Sequence, residues 1–384
     1  MLLHDSIVVH RRRGKQLSDL EGELVTTPTR RRDLCVWLLL GHKAGDNTQV
    51  RALAAVLNWP TEERVLRYRP WELLTNRLLG ATLLGVNRTT SDQLTPPWPD
   101  LVISSGRRNE PVARWIQRQS GGRTRLVHIG RPWADPARFD LIVSTPQYAL
   151  PARENLLMNV LPMHRLSAQQ LNAAADQWRS RFAALPGPLT TVLLGGNSGA
   201  TIFTPAKAQR MGQQVNGLVR RQGGSVLVTD SARTPAKAFD AFMAQIEVPH
   251  HVHRWGSAAV ENPYHAFLAL ADQFVVTADS MSMVSEAVTR LKPLYLFSLD
   301  DGPDWYQRAY NYAWTPLTHR LAMRYGPERM KRDVNRILNE LIAQGRAIWL
   351  GDEFPMSNPL LPIEDGALHA AMRVAALFGP EARG

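Results

Sequence analysis

Short apolar runs alternate with amphipathic stretches along most of the chain, and no other feature constrains the fold as much. Before residue 165 the runs are CVWLLL (35–40), RVLRY (64–68), DLVISS (100–105), RLVHIG (125–130) and DLIVST (140–145). A second series follows: TTVLLGG (190–196), GSVLVTD (224–230), HVHRW (251–255), QFVVTA (273–278) and PLYLFS (293–298). Runs without in–out alternation are the pattern of strands buried on both faces. Helical patterns such as TQVRALAAVLN and NEPVARWIQRQS lie between them. Repeated strand–helix–strand units predict parallel sheets covered by helices. The break LPGPL (185–189) divides the series into two α/β halves, 33–165 and 187–302. RENLLMNVLPMHRLS reads as the crossing linker, and the helical patterns of 303–384 as partly crossing back. Two such halves predict a cleft, with sites beyond the carboxyl ends of the strands.

A chain of 384 residues is long enough for two such cores. No apolar run approaches the roughly 18 residues of a membrane span, and CVWLLL is too short for a signal peptide or anchor. Cys35 is the only cysteine, which excludes an intrachain disulfide and reads as a structural thiol. Lys and Arg number 45 against 34 Asp and Glu, a formal charge of +11. Part of the excess sits in HRRRGKQ and TRRRD within residues 1–32, which read as a disordered basic arm. The remainder is scattered, with no basic stripe interleaved with aromatics, so the charge suits an anionic substrate or membrane surface rather than nucleic acid.

Polar loops at strand ends carry the candidate chemistry. VLLGGNSGATIF puts Gly195, Gly196 and Gly199 after a strand and before a helix, either as a tight turn or to let phosphate reach backbone N–H groups. It is neither a Walker loop nor a dinucleotide fingerprint. TADSMSMVSEA sets Ser280 and Ser282 at a helix start and Glu286 one turn in. That glutamate is either an ordinary first-turn acid or an acceptor for vicinal hydroxyls such as those of a ribose. Asn262 opens a turn that could lie against a base. In the first half, GHKAGDNTQ offers His42 and Asp46 as general bases, although Asp46 and Asn47 also suit helix capping. Arg107 and Arg108 in SSGRRNEP suit an anionic acceptor, or are simply solvated. HHVH (250–253) lacks an acidic or cysteine partner for a metal, and no GxSxG elbow points to a hydrolase.

Over residues 33 to about 380, SGRRNEPVARW, GGRTRLVHIGRP, SVLVTDSARTP and ENPYHAFLALADQFVVTADSMSMVSEA resemble the plant mitochondrial-fission (elongated-mitochondria) family and its bacterial relatives. That family in turn resembles GT-B glycosyltransferases, which have two Rossmann-like domains with parallel sheets facing a cleft. GGNSGA is similar to the glycine loop of the lipid II-forming N-acetylglucosaminyltransferase, and DSMSMVSEA to its donor-site helix, where the residue matching Glu286 holds the donor ribose. GHKAGD resembles the first loop of lipid A disaccharide synthase. The acceptor half is otherwise dissimilar, so the acceptor is not carried over.

The resemblance implies a metal-independent glycosyltransferase with no cofactor. Its donor, a nucleotide sugar, is expected on Gly195, Gly196, Ser198, Gly199, Ser231, Arg233, Asn262, Ser280, Ser282, Ser285 and Glu286. Asp46 or His42 is the expected base. The expected acceptor is an envelope glycolipid or polysaccharide precursor, met by Arg107 and Arg108 in the cytoplasm or at the inner membrane. Two alternatives stay open: a non-catalytic adaptor of the membrane-fission type that retains the fold, and a non-hydrolysing sugar-nucleotide epimerase.

Overall fold

The computed structural model describes residues 34–69, 76–198, 201–257, 261–300, 325, 332–354 and 360–379. The basic arm, Gly199 and most of residues 303–331 lie outside the described residues.

The chain forms two six-stranded sheets in which every pairing is parallel. The first holds β1 (Val36–Leu40), β2 (Thr61–Val65), β3 (Leu101–Ser105), β4 (Arg125–Ile129), β5 (Leu141–Ser144) and β6 (Leu156–Met158) in the order β2-β1-β3-β4-β5-β6. The second holds β7 (Leu189–Leu193), β8 (Ser225–Thr229), β9 (His250–His253), β10 (Gln273–Thr277), β11 (Leu294–Phe297) and β12 (Ile348–Trp349) in the order β12-β11-β10-β7-β8-β9. Both chain paths wind outward from the middle of the sheet and then return to the other side. The winding reverses between β1 and β3 in one sheet and between β7 and β10 in the other. A crevice opens at such a switch point because the loops on its two sides leave toward opposite faces. The fold is α/β and GT-B-like.

The helices are α1 (Ala44–Leu57), α2 (Asn76–Leu79), α3 (Asn109–Gln119), α4 (Ala168–Phe182), α5 (Pro205–Gln222), α6 (Ala236–Met243), α7 (Tyr264–Leu270), α8 (Met281–Val288), α9 (Asn335–Ala343) and α10 (Gly366–Ala376). Their ends follow local chemistry. Thr204 caps α5 by accepting from Lys207 N, Pro205 opens it, and Gly223 closes it at φ +74°. Ser167 caps α4 through Gln170 N at 3.0 Å.

Apolar faces meet the sheets as the alternation predicts. Val36, Leu38 and Leu40 of β1 pack with Val50 and Leu53 of α1, and with Ala370 and Val374 of α10. In the second half Phe274 and Val276 of β10 pack with Val284 and Val288 of α8 and with Ile337 and Leu341 of α9. Each fully buried aliphatic side chain here contributes about 1.5–3 kcal/mol. The last described helix therefore returns to the first sheet, whereas α9 stays with the second.

Three strands differ from the sequence reading. β2 lies at Thr61–Val65, not at 64–68, and begins on the exposed residues Thr61, Glu62 and Glu63. It is an edge strand whose register is set by β1, with Val36 opposite Thr61, so it needs no apolar run. β6 lies within the stretch read as linker, and β12 is a two-residue strand. Both are edge strands too short to carry a period. The polar helix α4, which lies between the stretches read as the two halves, packs through Trp178 and Phe182 on Leu227 and Phe267 of the second half. His251 of β9 packs against Trp178, Phe182 and Phe267 as part of that aromatic group.

Candidate functional site

The loops singled out in the sequence leave the carboxyl ends of the strands that flank the two switch points. GHKAGD follows β1 and SGRRNE follows β3; GGNS follows β7 and the TADS turn follows β10. A Cβ placed on Gly45 would lie 3.4 Å from Ser282 Oγ, so the first turns of α1 and α8 touch across the cleft.

On the first sheet's side, Asn47 pins the loop. Its Oδ1 accepts from Gly41 N at 3.0 Å and its Nδ2 donates to Gly41 O at 2.9 Å. Asn47 thus ties the loop before α1 rather than capping the helix, whose N-cap Lys43 makes no side-chain cap. Asp46 faces the SGRR loop: a Cβ on Gly106, at φ +78°, would sit 2.8 Å from Asp46 Oδ2. The exposed His42 has a pKa lowered by partial burial and by nearby Arg108 and Lys43, with Asp46 opposing. Arg107 lies 5.1 Å over the Trp133 ring and Arg108 5.8 Å from the Tyr68 ring, both half-buried.

Beneath this edge lies a polar group the sequence reading missed. Asn109 Nδ2 donates to Leu39 O and Ser105 O, both at 2.9 Å, and so ties β1 to β3 at the switch point. Glu110 is fully buried and accepts from Asn76 Nδ2, Trp133 N and Ala134 N. Burial raises its pKa to about 7 against the pull of those hydrogen bonds. His128, whose Nε2 lies 3.8 Å from Glu110 Oε1, is lowered by burial to about 3. Asn109 and Glu110 were visible only as polar residues opening an amphipathic helix, and the Asx and Glx chemistry of a helix start hides such anchors.

On the second sheet's side the glycine loop has a different use from the one expected. Gly195 N donates to Thr277 Oγ1 at 2.7 Å and Gly196 N to Asp279 Oδ2 at 3.1 Å. Asn197 N reaches Arg233 O and Ser198 N reaches Thr201 O. These four amides are therefore occupied within the chain. The glycines are required by packing: a Cβ on Gly195 would meet Asp279 Oδ1 at 2.3 Å, and one on Gly196 would meet Arg233 O at 2.1 Å. Arg233 Nη1 pairs with Asp279 Oδ2 at 2.9 Å and also donates to Asn197 O at 3.1 Å. Burial raises the Asp279 pKa against the effects of Arg233 and Gly196. Asp279 was read as part of a hydroxyl-rich loop; its carboxylate closes the glycine turn instead.

The other expected donor residues separate into groups. Ser280, the N-cap of α8, makes no side-chain cap, so the amides of Met281, Ser282 and Met283 have no acceptor among the described residues. Ser282 and Glu286, four apart, share one face of α8. The Tyr264 hydroxyl donates to Glu286 Oε2, and burial raises the Glu286 pKa while that hydrogen bond opposes it. Asn262 Oδ1 accepts from Tyr264 N at 3.0 Å and sets the start of α7. Ser285 points elsewhere, with its hydroxyl fully buried and donating to Pro162 O at 2.9 Å. Ser231 shares a hydroxyl contact with Thr234 at 3.0 Å, and Ser198 with Thr201 at 2.9 Å.

Mitochondrial fission protein ELM1 of Arabidopsis thaliana is 28% identical over 246 residues, 58% of this chain and 57% of that protein, so the match spans little more than half of the plant relative. The uncharacterized protein RP120 of Rickettsia prowazekii is 24% identical over 338 residues, 80% of this chain and 91% of that one. Among solved structures, a UDP-GlcNAc 2-epimerase from Methanocaldococcus jannaschii in complex with UDP-GlcNAc and UDP has TM-score 0.46 at 10% identity, covering 90% of this chain and 100% of that one. A UDP-glucosyltransferase from Polygonum tinctorium has TM-score 0.45 at 10% identity, covering 91% and 100%. Likenesses of this size carry no argument about chemistry. The family described as Mitochondrial fission ELM1 matches residues 44–314, and the chain belongs to that family.

Proposed function

We propose that the protein is a metal-independent glycosyltransferase that moves a sugar from a nucleotide-sugar donor to a hydroxyl of an envelope glycolipid or polysaccharide precursor, in the cytoplasm or at the inner membrane face. The observation that carries this reading is the contact of the two switch points, with Gly45 of α1 against Ser282 of α8. Ligands of open parallel sheets collect at such points, and group transfer needs two sites whose reacting atoms meet. On the donor side, the unpaired first-turn amides and dipole of α8 suit a leaving diphosphate, a stabilisation that needs no cation. Glu286 would accept ribose hydroxyls through Oε1 while Tyr264 holds Oε2. On the acceptor side, Asp46 is the first candidate for the base, and His42, kept neutral by its lowered pKa, is the second.

One observation favours a second reading, a non-catalytic adaptor that keeps the fold. The amides of the loop after β7 are occupied, and Arg233 is paired with Asp279, so in this conformation neither is free for phosphate. Calorimetric titration with UDP, GDP, CMP and TDP and their sugars separates the two. Binding of one nucleotide that is weakened in Glu286→Ala, with sugar transfer lost and donor affinity kept in Asp46→Asn or His42→Ala, supports the transferase. A folded protein that binds none of them would leave only the adaptor. Isomerisation of the donor sugar without any acceptor would point to an epimerase.

A further inference from the structure

Where the chain crosses between the halves, a cavity of about 210 Å³ lies among three segments: the linker at 160–166, the C-terminal half of α8 and the start of α10. The segments are tied around it. Ser285 Oγ donates to Pro162 O at 2.9 Å, and Asn159 Nδ2 donates to Gly366 O at 3.1 Å. Pro162, Met163, Leu166 and Ile363 give the cavity an apolar side. Its charged walls are Arg290 on α8 and Glu364 and Asp365 just before α10, with His164 also facing in. Asp46, Ser282 and Glu286 are not among its walls, so the proposed base and donor residues do not form it.

The hydroxyls of the α8 wall are spent inside the chain, since Ser285 takes Pro162 O and Thr289 Oγ1 donates to Glu286 O at 2.9 Å. The charges are not. Arg290 is half-buried and forms no ion pair among the described residues. Its one hydrogen bond there runs from Nη2 to the adjacent Thr289 O at 3.4 Å. Its Nε has neither a partner nor access to the cavity, so contact with a ligand falls to the outer guanidinium nitrogens. Asp365 caps α10 through Oδ1 alone, accepting from Ala367 N and Leu368 N, which leaves Oδ2 available. Glu364 sits at the exposed rim, with Oε2 3.6 Å from His369 Nδ1. His164 brings no charge at neutral pH. Burial lowers its pKa and Arg290 adds to that, while Asp365 opposes.

These walls select a ligand by charge. A simple anion would pair with Arg290 but face Asp365 and Glu364, and a simple cation would do the reverse. A neutral apolar molecule would leave a half-buried guanidinium without a counter-charge. A molecule with one charge of each sign and an apolar body answers every wall. The room is below the roughly 300–1,000 Å³ of pockets for drug-sized ligands, which limits the occupant to a compact molecule. We propose that the cavity is an effector site for a free apolar α-amino acid. Its carboxylate pairs with Arg290, its ammonium turns to Asp365, and its side chain lies against Pro162, Met163, Leu166 and Ile363. Such an occupant touches the linker, α8 and α10 at once, so its binding energy stabilises one arrangement of the two crossings. The assignment does not rest on the transferase reading.

The test is calorimetric titration of the full chain with leucine and methionine. Glycine lacks the apolar body, and isocaproate and isoamylamine each carry only one of leucine's charges. Leucine or methionine should bind about tenfold or more tightly than any of these three, the share of one charge-assisted hydrogen bond, and should raise the melting temperature. Arg290→Met keeps an unbranched stem in the wall, and Asp365→Asn keeps an oxygen for the α10 cap. Each should weaken the amino acid about tenfold or more. In Arg290→Met it should bind no better than isoamylamine, and in Asp365→Asn no better than isocaproate. Wild-type protein that binds neither amino acid overturns the proposal, as does a one-charge analogue that binds as tightly as leucine. So does an affinity that either folded variant leaves unchanged, which would put the ligand elsewhere.

Discussion

Glu286 shows how one side chain can be both held and available. Tyr264 fixes one carboxylate oxygen, and the other has no hydrogen-bond partner among the described residues. If it accepts ribose hydroxyls, its removal weakens binding equally in ground and transition states. Glu286→Ala should then raise the donor KM by the equivalent of about 1.5–3 kcal/mol per charged hydrogen bond while kcat changes little. Glu286→Gln should cost less, and steady-state kinetics with a deoxyribose donor should show the penalty in wild type only. A fall in kcat at constant KM would sink the role. Glu110 allows a pH test of the fold. Its folded pKa of about 7 lies above the ordinary 4.5, so the stability it contributes is fully present below about 4.5 and is lost as pH rises through 7. His128, lowered by burial, acts in the opposite sense as pH falls below its ordinary value of 6.5. The difference between wild type and Glu110→Gln isolates the glutamate. From urea unfolding, wild type should lose on the order of 3 kcal/mol relative to Glu110→Gln between pH 5 and 8. A difference constant with pH would show that Glu110 does not titrate in the fold.

At the scale of elements, glycines divide by what surrounds them. Gly196 ends against backbone, with Arg233 O at 2.1 Å and Thr234 N at 2.6 Å from an added Cβ, so neither neighbour can rotate away. Gly196→Ala should destabilise by about 1–3 kcal/mol or more, the cost of overpacking. Gly217 lies inside α5, and the nearest atom to an added Cβ is Arg221 Nη1 at 3.6 Å. Gly217→Ala should stabilise by about 0.5–1 kcal/mol through helix propensity. Chemical denaturation of the two variants reads both signs; a neutral Gly196→Ala would mean that the loop after β7 moves freely. The strand elements carry the same lesson. The buried run of β1 was legible because both its faces are covered, whereas β2 is an edge strand built on charged residues and was misplaced.

For the whole molecule, the crossing of the chain decides how the halves are tied. α9 packs on the second sheet and α10 returns to α1 and the first. Asp365 caps α10 by accepting from Ala367 N at 2.9 Å and Leu368 N at 3.2 Å. A chain stopped before Asp365 would leave Val50, Leu53 and Leu57 of α1 without Ala370 and Val374. It should melt earlier and with the first sheet ahead of the second; an unchanged single transition in calorimetry would contradict this. No helix among the described residues is long and apolar enough to cross a membrane. Under the proposed mechanism α8 supplies the positive field that a cation would otherwise bring. Nucleotide binding and transfer should therefore survive chelation, and strict dependence on magnesium or manganese would refute that stabilisation.

The sequence alone determined the α/β class, the interior strands and the position of the polar loops at strand ends, because buried parallel strands and amphipathic helices write their environment into a local pattern. It also placed Gly195, Gly196, Asp46 and Glu286 at those ends. Tertiary structure alone decided what these residues touch. That the glycine turn closes on Asp279 and Arg233, and that Glu286 leans on Tyr264, follow from contacts between distant segments, and the choice of Asn47 rather than Asp46 to pin its loop is one the local sequence left open. Edge strands and hydrogen-bond partners are set by neighbours across space, and no local periodicity records which neighbour the fold will supply.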